Sequence, residues 1–394
     1  MDKNEKTTLT SSLILLLSIT CGVVVANMYY IQPIGTKVAA SLSVSTSAIG
    51  ILTMLTQLGY ALGLLFLVPL GDVVDRPKLI IRMAALSAIS LLAAFFAPSF
   101  TLFACASFLI GLLSIVPQII IPYGAVLAGS KARGKVMGTL LSGLLVGILL
   151  SRTVSGIVAS LFSWRMIYLF ALVLVAILTG LLYWKMPRTQ IKTTSSVSYL
   201  DSLKSLPYLV KTQRLLREAS ISGFFMFGTF SIFWSTLIFY ISSPVYHWGT
   251  FEAGILAIFG LSGAVAAPIV GRLSDSYSER KIVGMGLAMQ TLSFVALLVA
   301  GSHLVVLLVA IILLDVGNQF GQVANQTRVQ GLGEAASNRN NTVFMFMYFI
   351  GGATGSLLGT TMWQQFGWLG VTLTGLAFQL CAYICQYIIF QKRS

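Results

Sequence analysis

Long apolar segments alternate with short polar ones along almost the whole chain. Twelve apolar segments hold roughly 19 to 27 residues each, and about 20 are enough for an α-helix to cross a hydrocarbon layer about 30 Å thick. We number them spans 1 to 12, and they cover residues 12–33, 47–70, 79–97, 101–127, 135–160, 164–185, 217–241, 251–272, 282–301, 303–326, 341–362 and 367–390. The pattern predicts an all-α membrane protein with twelve transmembrane helices.

Composition agrees with this pattern, because 57% of the residues are hydrophobic and only 9% are charged, whereas an ordinary soluble domain is about 25% charged. One polar segment, between spans 6 and 7, is longer than the others. We therefore predict an N-terminal six-helix bundle over residues 1–185, a cytoplasmic linker over 186–216 and a C-terminal six-helix bundle over 217–394. Leucines at helical spacing predict an amphipathic helix from Tyr199 to Leu216 in the linker, although Pro207 disfavours it.

The formal charge of +14 is distributed unevenly between the two sides of the predicted bundle. With the N-terminus inside, 22 of the 25 lysines and arginines fall in cytoplasmic segments, and only Lys37, Arg152 and Arg165 do not. An excess of positive charge on the cytoplasmic side is the general rule for membrane proteins. The rule explains the basicity without nucleic acid as a partner. We predict a multi-pass protein of the cell membrane with both termini in the cytoplasm.

A short polar motif occurs once in each half, between spans 2 and 3 and between spans 8 and 9. The first copy includes Asp72 and Arg76, and the second includes Gly271, Asp275, Arg280 and Lys281. The repetition predicts two pseudo-symmetric halves, an arrangement common in secondary transporters. We predict that the aspartate and the arginine of each copy pair in a gate at the cytoplasmic mouth. Exposed pairs contribute only about 0–1 kcal/mol each, so such a gate is reversible.

These motifs resemble those of the major facilitator superfamily over essentially the whole chain. Within it, the segments 26–33, 117–122 and 147–152 resemble a bacterial drug-efflux branch of drug–proton antiporters. The resemblance implies two six-helix bundles that rock to give alternating access. The chain departs from the branch at Ser107, where an arginine is usual, and at Ile148, where a proline is usual. If transport is coupled to protons, other residues of the chain must therefore carry the proton.

Asp315 in span 10 and Arg152 in span 5 are charged residues predicted to lie inside the membrane. Such residues are rare because a charge at the bilayer centre costs about 3 kcal/mol or more, so function is the first hypothesis. The predicted depths of the two differ by only about two helical turns, and three interpretations remain open. They form a structural ion pair, or Asp315 is a site at which a proton and the substrate compete, or Arg152 binds an anionic substrate directly.

Span 10 carries polar residues on one helical face, namely Asp315, Asn318, Gln319, Gln322, Asn325 and Gln326. Unpaired amides are costly in lipid, so this face is expected to line an aqueous cavity that opens toward the cytoplasm. The resemblance implies that spans 1, 4, 7 and 10 line the substrate cavity. The further cavity candidates are Asn27, Tyr30, Gln118, Phe227, Phe230 and Trp234, and the polar residues Gln32, Gln57 and Tyr60 give weaker signals. For the aromatic residues, packing or lipid contact is the alternative.

Small residues recur at four-residue spacing in four spans. The stripes are Gly143, Gly147, Ser151 and Ser155 in span 5, Gly351, Gly355 and Gly359 in span 11, Gly59 and Gly63 in span 2, and Gly263, Ala267 and Gly271 in span 8. Such stripes permit close backbone approach. The resemblance implies that these four spans form the interface between the rocking halves. Static packing is the alternative.

The sequence contains no nucleotide-binding loop, catalytic triad or metal-binding cluster, so we predict neither an enzyme nor a cofactor or metal site. The driving force is then the proton gradient. We predict a monomeric secondary transporter that exports small amphipathic or metabolite molecules by alternating access. Its partners are a small-molecule substrate and the lipid bilayer. The alternatives are proton-coupled uptake of a polar nutrient and a non-transporting membrane sensor.

Overall fold

The computed structural model describes residues 10–187, 199–273, 276–333 and 336–390, with the backbone alone at residues 72, 130 and 131. Eleven helical stretches within these ranges are long and apolar enough to cross a membrane. The last of them, Ser337–Ile389, has 53 residues, which is enough for two crossings. It is divided at Gly367, whose φ of 61° suits glycine best. The predicted all-α fold with twelve spans is confirmed.

The helices of the N-terminal half form spans 1 to 6. In chain order they are Ser11–Ala26 with Ile31–Leu42, Thr46–Phe66, Arg76–Phe96, Phe100–Leu113 with the first part of Val116–Leu161, the second part of that helix, and Met166–Lys185. Gly129, with φ of 64° and ψ of 178°, divides Val116–Leu161 between spans 4 and 5. A turn of 3₁₀-helix, Pro69–Asp72, follows span 2. Spans 1 and 4 are therefore interrupted, whereas spans 2, 3 and 6 are continuous.

The helices of the C-terminal half form spans 7 to 12. In chain order they are Arg214–Ile241, Thr250–Phe259 with Leu261–Leu273, Glu279–Ala300, Leu304–Gln330, and Ser337–Ile384 on either side of Gly367, followed by the π-helical end Cys385–Ile389. The connections between spans lie alternately on the two sides of the bundle. We call the side that carries the segment between spans 6 and 7 the linker side and the other the opposite side.

The predicted amphipathic helix is present as Tyr199–Thr212, which we call the linker helix, and its Leu206 and Leu209 are buried. It ends before Leu216 because Gln213 has extended backbone angles, with φ of −102° and ψ of 101°, and span 7 begins directly afterwards. Pro207 is accommodated inside the helix.

The small-residue stripes join spans of the same half. Gly143 and Gly147 of span 5 pack on Ser18 and Gly22 of span 1, so closely that a Cβ added at Gly147 would overlap Gly22. In the same way, the stripe of span 2 packs on span 4, that of span 11 packs on span 7, and Gly263 of span 8 packs on span 10. The four spans do form the interface between the halves, as the resemblance implied, but the stripe residues themselves pack inside each half, so the alternative of static packing applies to them. Close backbone approach is needed wherever two helices cross tightly, and these crossings lie inside each bundle.

The two halves meet directly on the opposite side, through other residues of the same four spans. Span 2 packs on span 11 where Gly50 faces Thr360, and span 5 packs on span 8 where Gly156 faces Gly254. The hydroxyl of Thr153 also donates to the carbonyl oxygen of Gly254 at 2.8 Å. Backbone contact of this kind leaves no space for a passage between these spans on the opposite side.

Two further hydrogen bonds join spans of the two halves. The backbone N–H of Ser47 donates to Oε1 of Gln364 at 3.3 Å on the opposite side, and Nε2 of Gln57 donates to Oγ of Ser231 at 3.4 Å further inside. On the linker side, the linker helix contacts the turn after span 2 and also spans 7 and 11. The halves are therefore closed against each other on the opposite side and bridged by the linker helix on the linker side.

Candidate functional site

The side chain of Arg152 in span 5 is 1% exposed and is surrounded by aromatic rings. Its Cζ lies 4.8 Å from the ring centroid of Tyr29, 5.6 Å from that of Phe230 and 4.4 Å from that of Trp234. Ring faces attract a cation, by about 2 kcal/mol or more where water is excluded. Its Nε donates to Oε1 of Gln32 at 2.5 Å. We call these five residues the arginine cage.

One nitrogen of Arg152, Nη2, is buried without a hydrogen-bond partner among the described residues. The side chain also borders a cavity of about 10 Å³, which Gln32 and Trp234 line as well. A cavity of this size is at the lower limit for one water molecule. Leaving a charged donor buried and unpaired costs free energy, so the cage favours the entry of a hydrogen-bond acceptor.

Tyr29 and Gln32 reach the cage because span 1 is interrupted at residues 27–30. In this turn the N–H of Tyr29 donates to the carbonyl oxygen of Ala26, and the N–H of Gln32 donates to that of Tyr29. Pro33 has no N–H and therefore cannot form the α-helical bond to Tyr29. A 3₁₀ turn advances about 120° per residue instead of about 100°, so four residues rotate the following side chains by roughly 80°.

The predicted cavity residues Asn27 and Tyr30 lie inside the N-terminal bundle and outside the cage. Nδ2 of Asn27 is 3.5 Å from Oγ of Ser87 in span 3, to which it donates. Tyr30 is buried, and its carbonyl oxygen accepts a hydrogen bond from Ser155 at 2.6 Å. Of the polar residues expected to face the cavity from span 1, Gln32 therefore reaches the centre in this structure, together with Tyr29, whereas Asn27 and Tyr30 do not. The turn at residues 27–30 is the physical reason.

Asp315 in span 10 is 4% exposed, and its Oδ2 accepts a hydrogen bond from Nε1 of Trp234 at 3.3 Å. The same indole ring lies against the guanidinium of Arg152. Trp234 therefore contacts both charged groups. Within the described ranges no ion pair joins Asp315 to Arg152 directly, and the two charges attract each other at longer range. The direct ion pair, one of the three interpretations of these residues, is not formed in this structure.

Span 8 passes close to Asp315 at Gly260, directly after the segment Thr250–Phe259. A Cβ added at Gly260 would lie 3.0 Å from Oδ1 of Asp315 and 3.3 Å from Cζ2 of Trp234. These distances are shorter than ordinary van der Waals contacts, so the position accepts no larger residue without movement of the carboxyl group or the indole ring.

We expect Gly260→Ala to destabilise the protein by about 1–3 kcal/mol, because the added methyl group overpacks the contact with Asp315 and Trp234. Thermal unfolding of the purified protein measures the effect. The matched control is Gly180→Ala in span 6, where a Cβ would meet nothing within 4 Å. The control gains helix propensity and is expected to be neutral or slightly stabilised. Equal effects of the two substitutions would contradict the tight contact at Gly260.

A row of aromatic rings continues from the cage toward the linker side. Ring centroids are 6.2 Å apart between Trp234 and Phe230, 5.6 Å between Phe230 and Phe227, and 4.1 Å between Phe227 and Tyr348. The last two pairs are stacked, with interplanar angles of 16° and 14°. Phe227, Phe230 and Trp234 are all buried. Lipid contact, one alternative for these rings, therefore does not apply in this structure.

The row of rings ends at a polar group formed by spans 10 and 11. Nδ2 of Asn318 donates to the hydroxyl of Tyr348 at 3.0 Å, and that hydroxyl lies 3.2 Å from Oε1 of Gln322. Amide and phenol groups of this kind serve both as donors and as acceptors. The cluster therefore places adaptable hydrogen-bonding groups at one end of an apolar aromatic surface.

Two further polar residues of span 10 have hydrogen-bond partners in the protein, whereas Gln319 is partly exposed. Asn325 donates to Oγ of Ser222 at 3.3 Å, and Gln326 donates to Oδ1 of Asn341 at 2.9 Å. Gln319 packs against span 8 at Gly263. Asn325 and Gln326 therefore do not depend on water in this conformation, and the cavity expected in one state of the cycle stays a prediction. Spans 7 and 11 approach span 10 closely enough to supply the partners that water was expected to provide.

Gln118 of span 4 reaches the same region from the N-terminal half. Its Nε2 donates to the hydroxyl of Tyr60 at 3.1 Å. The Tyr60 ring lies 4.4 Å from that of Phe349, and the Phe349 ring lies 5.2 Å from that of Phe227. The two halves therefore meet at the centre through aromatic rings, with Gln118 attached at one end.

The predicted gate residues are described only in part. Asp275 lies outside the described residues, and so does the side chain of Asp72. Nε of Arg76 donates to the carbonyl oxygen of Gly71 at 2.7 Å, within the first copy of the motif. Gly271 and Lys281 are exposed. The pairing of the aspartates with the arginines therefore stays a prediction.

The described partners of Arg280 belong to the C-terminal half. Its Nε lies 3.5 Å from Oε1 of Glu218, and Nη2 of Arg328 lies 2.9 Å from the same oxygen. Arg280 also donates to the carbonyl oxygens of Gln386 and Phe390. These contacts tie spans 7, 9, 10 and 12 together on the linker side. They stabilise one half and do not connect it to the other.

We expect Glu218→Gln to lower the free energy of unfolding by about 2 kcal/mol, because Glu218 and Arg328 are buried and both arginines lose their charged acceptor. Chemical or thermal unfolding of the purified protein measures it. Asp201→Asn, at an exposed position of the linker helix, is the control and is expected to change stability by less than about 0.5 kcal/mol. A Glu218 variant as stable as this control would show that the arginines find other acceptors.

The sequence pattern does not single out four residues of the site, namely Tyr29, Glu218, Tyr348 and Phe349, whereas Gln32 and Tyr60 are among the polar residues expected to face the cavity. Gln32 gives a usable signal, because a polar residue directly before Pro33 in an apolar span marks a helix interruption. Glu218 stands at the predicted start of span 7, where a charge needs no buried partner. The aromatic residues give no signal, since their role depends on partners in distant spans.

Comparison with known proteins shows the family and the fold. The profile of the Major Facilitator Superfamily matches residues 16–356 and 255–393. The chain is 37% identical over 372 residues to the uncharacterized transporter YgaY of Escherichia coli O157:H7, with 94% of each chain covered.

Two crystal structures share the fold at low sequence identity. One is a mutant of the nucleoside transporter NupG, with a TM-score of 0.80, 14% identity and coverage of 96% of this chain and 99% of that one. The other is a bacterial homologue of the human lysosomal transporter Spinster in an inward-facing, unoccupied conformation, with a TM-score of 0.77, 13% identity and coverage of 98% and 96%. At these identities the likeness concerns the fold alone.

Proposed function

Because the chain belongs to the Major Facilitator Superfamily and is a membrane transporter of that type, we propose that it exports small amphipathic molecules in exchange for protons. One observation carries the proposal: Asp315 and Arg152 are both buried, and the indole of Trp234 lies between their charges. A buried charge without a direct counter-ion is costly. Each group is therefore favourably placed to accept a partner from outside the protein.

In the proposed cycle, Asp315 accepts a proton in one conformation and the substrate in the other. The proton neutralises the carboxyl group and the substrate binds to it, so the proton and the substrate compete for the same group. Trp234 links this competition to Arg152, because its N–H bonds Asp315 while its ring contacts the guanidinium. A ligand shifts a conformational equilibrium only through different affinities for the two states. Competition at one carboxyl group supplies such a difference.

The surroundings of Asp315 support an amphipathic substrate. Phe230 of the cage and the stacked ring of Phe227 provide an apolar aromatic surface, and such rings accept ligands of more varied shape than a rigid set of polar groups does. The polar group at Tyr348 supplies hydrogen bonds at the far end of this surface. A molecule with an aromatic or aliphatic body and one polar or charged end fits this combination.

The sidedness of the proposal follows from the positions of the cations. Lys78, Lys211 and Arg280 lie on the linker side, and positive charge marks the cytoplasmic side of membrane proteins. We therefore assign the linker side and both termini to the cytoplasm of a cell-membrane protein. Export is favoured by the resemblance to the drug-efflux branch, together with the aromatic surface near Asp315.

Proton-coupled uptake of a polar solute is the second candidate. The bonded cluster of Asn318, Gln322 and Tyr348 favours it, because such groups discriminate strongly among polar molecules. NupG, which shares the fold, is called a nucleoside transporter, but its 14% identity carries no substrate across to this chain.

Purified protein in liposomes that contain a pH-sensitive dye tests the proposal. The liposomes are loaded with an amphipathic or a polar compound, and a pH gradient is imposed. Export by exchange requires protons to move against the compound, whereas uptake by symport requires both to move in the same direction. Proton flux evoked by amphipathic compounds and opposed to them is the expected result. Flux in the same direction supports the second candidate, and absence of flux over a broad panel favours a sensor.

A further inference from the structure

An apolar cavity of about 460 Å³ lies on the linker side, apart from the site around Asp315. Its walls come from the end of span 2, the linker helix, and the first turns of spans 7 and 11. Phe66 of span 2, Leu206 of the linker helix and Phe346 of span 11 line the cavity. Both halves of the molecule therefore contribute to one apolar chamber, and its size and lining suit a hydrocarbon chain.

A buried polar atom borders this apolar chamber. Ser220 in span 7 is 4% exposed, and its Oγ has no hydrogen-bond partner among the described residues. A buried hydroxyl without a partner is unfavourable unless a ligand or water satisfies it. The chamber is therefore suited to a molecule that is mostly apolar and carries oxygen atoms.

A cationic side chain also lines the chamber. Nη1 of Arg217 donates to the carbonyl oxygens of Val210 and Lys211 at 2.8 and 2.6 Å, which holds the end of the linker helix. An arginine has five N–H donors, and the other two nitrogens of Arg217 have no partner within the described ranges. Lys204 and Lys211 are exposed on the same helix. A guanidinium binds phosphate through two parallel hydrogen bonds.

We propose that the chamber binds one anionic phospholipid from the surrounding bilayer. An acyl chain occupies the apolar walls, an ester or glycerol oxygen bonds Ser220, and the phosphate lies at Arg217. Clusters of basic residues at a membrane surface select anionic headgroups. The amphipathic linker helix forms one wall at the level where such headgroups lie. This proposal does not depend on what the transporter carries.

The position of the chamber gives the lipid a bridging role. Leu65 and Phe66 belong to span 2 of the N-terminal half, and Val343 and Met347 belong to span 11 of the C-terminal half. Movement of one half against the other changes the distance between these walls. The bound lipid therefore contacts the two moving parts at once.

Native mass spectrometry of the purified transporter tests the proposal, with dioleoyl phosphatidylglycerol and dioleoyl phosphatidylcholine as the probes. One phosphatidylglycerol is expected to stay bound at collision energies that remove phosphatidylcholine. Arg217→Gln is expected to reduce the preference for phosphatidylglycerol about fivefold, the effect of one cation near an anionic surface. Ile221→Trp, which narrows the chamber, is expected to retain less phosphatidylglycerol than the wild type.

Lys185→Gln is the matched control, because Lys185 is an exposed cation at the end of span 6 and does not line the chamber. It is expected to bind phosphatidylglycerol like the wild type. Equal retention of the two lipids by the wild type, or full retention by Ile221→Trp, would overturn the proposal. If Ile221→Trp does not fold, an unchanged lipid preference in Arg217→Gln overturns it. Displacement of the lipid by a transported compound would instead make the chamber part of the substrate path.

Discussion

Asp315→Asn is expected to abolish proton flux evoked by a transported compound, to the level of liposomes without protein. Asparagine keeps the size of the side chain and an oxygen that accepts the hydrogen bond of Trp234, but it does not bind a proton at physiological pH. Exchange of the compound across the membrane without net proton movement is expected to survive with a weaker apparent affinity, because the aromatic rings of Phe227 and Phe230 are unchanged but the charge of Asp315 no longer binds the compound. Coupling is therefore lost, whereas exchange is only weakened.

Two assays on the same proteoliposomes check this result, one for proton flux with an internal dye and one for exchange of labelled compound. Asp201→Asn makes the same chemical change on the exposed surface of the linker helix and is expected to transport normally. Size-exclusion chromatography verifies that the Asp315 variant is assembled. Proton flux that persists in Asp315→Asn would make the carboxyl group structural, and the coupling residue would then lie elsewhere.

Arg152→Met is expected to destabilise the protein by about 3–5 kcal/mol. The methionine fills most of the space of the arginine but leaves Asp315 buried without its nearest positive charge. The contacts of the guanidinium with Tyr29 and Trp234 are lost as well. Replacing both charges at once removes the uncompensated carboxylate, so Arg152→Met with Asp315→Asn is expected to be more stable than Arg152→Met alone.

Thermal unfolding of the two single variants and the double variant forms a mutant cycle that measures this coupling. Arg165→Met is the control, because Arg165 also lies over a ring, that of Trp164 at 4.3 Å, but is partly exposed at the edge of the bundle. Its cost is expected to stay below about 1 kcal/mol. A double variant destabilised by the full sum of the single effects would show that Arg152 and Asp315 act independently.

The fold was predictable from the sequence because contact with lipid imposes one rule on every span. Each crossing needs an apolar helix of similar length, and that rule is visible in every apolar segment. Asp315 and Arg152 were identified by the same logic, as exceptions to the rule. The common helical face of Phe227, Phe230 and Trp234 was also predictable, since span 7 is one uninterrupted helix, Arg214–Ile241.

The rest of the site depends on features that a regular helix does not represent. The turn at residues 27–30 changes which side chains of span 1 reach the centre, so that Tyr29 lies there beside the expected Gln32 while Asn27 and Tyr30 do not. The neighbours of the glycine stripes could not be predicted for a different reason. A stripe shows that a close neighbour exists but does not identify the neighbour, and both bundles contain several candidates.

The close packing inside each half has an energetic consequence for the working cycle. Close backbone contacts at glycines join the helices within each half. Among the described residues, only three hydrogen bonds join spans of the two halves. At about 0.5–1.5 kcal/mol each, these bonds contribute roughly 1.5–4.5 kcal/mol to holding the halves together, beside the backbone and aromatic contacts between them. A single charge that crosses a potential of 100 mV releases about 2.3 kcal/mol. The hydrogen-bonded part of the contact is thus on the scale of the energy that one or two charges release on crossing such a potential.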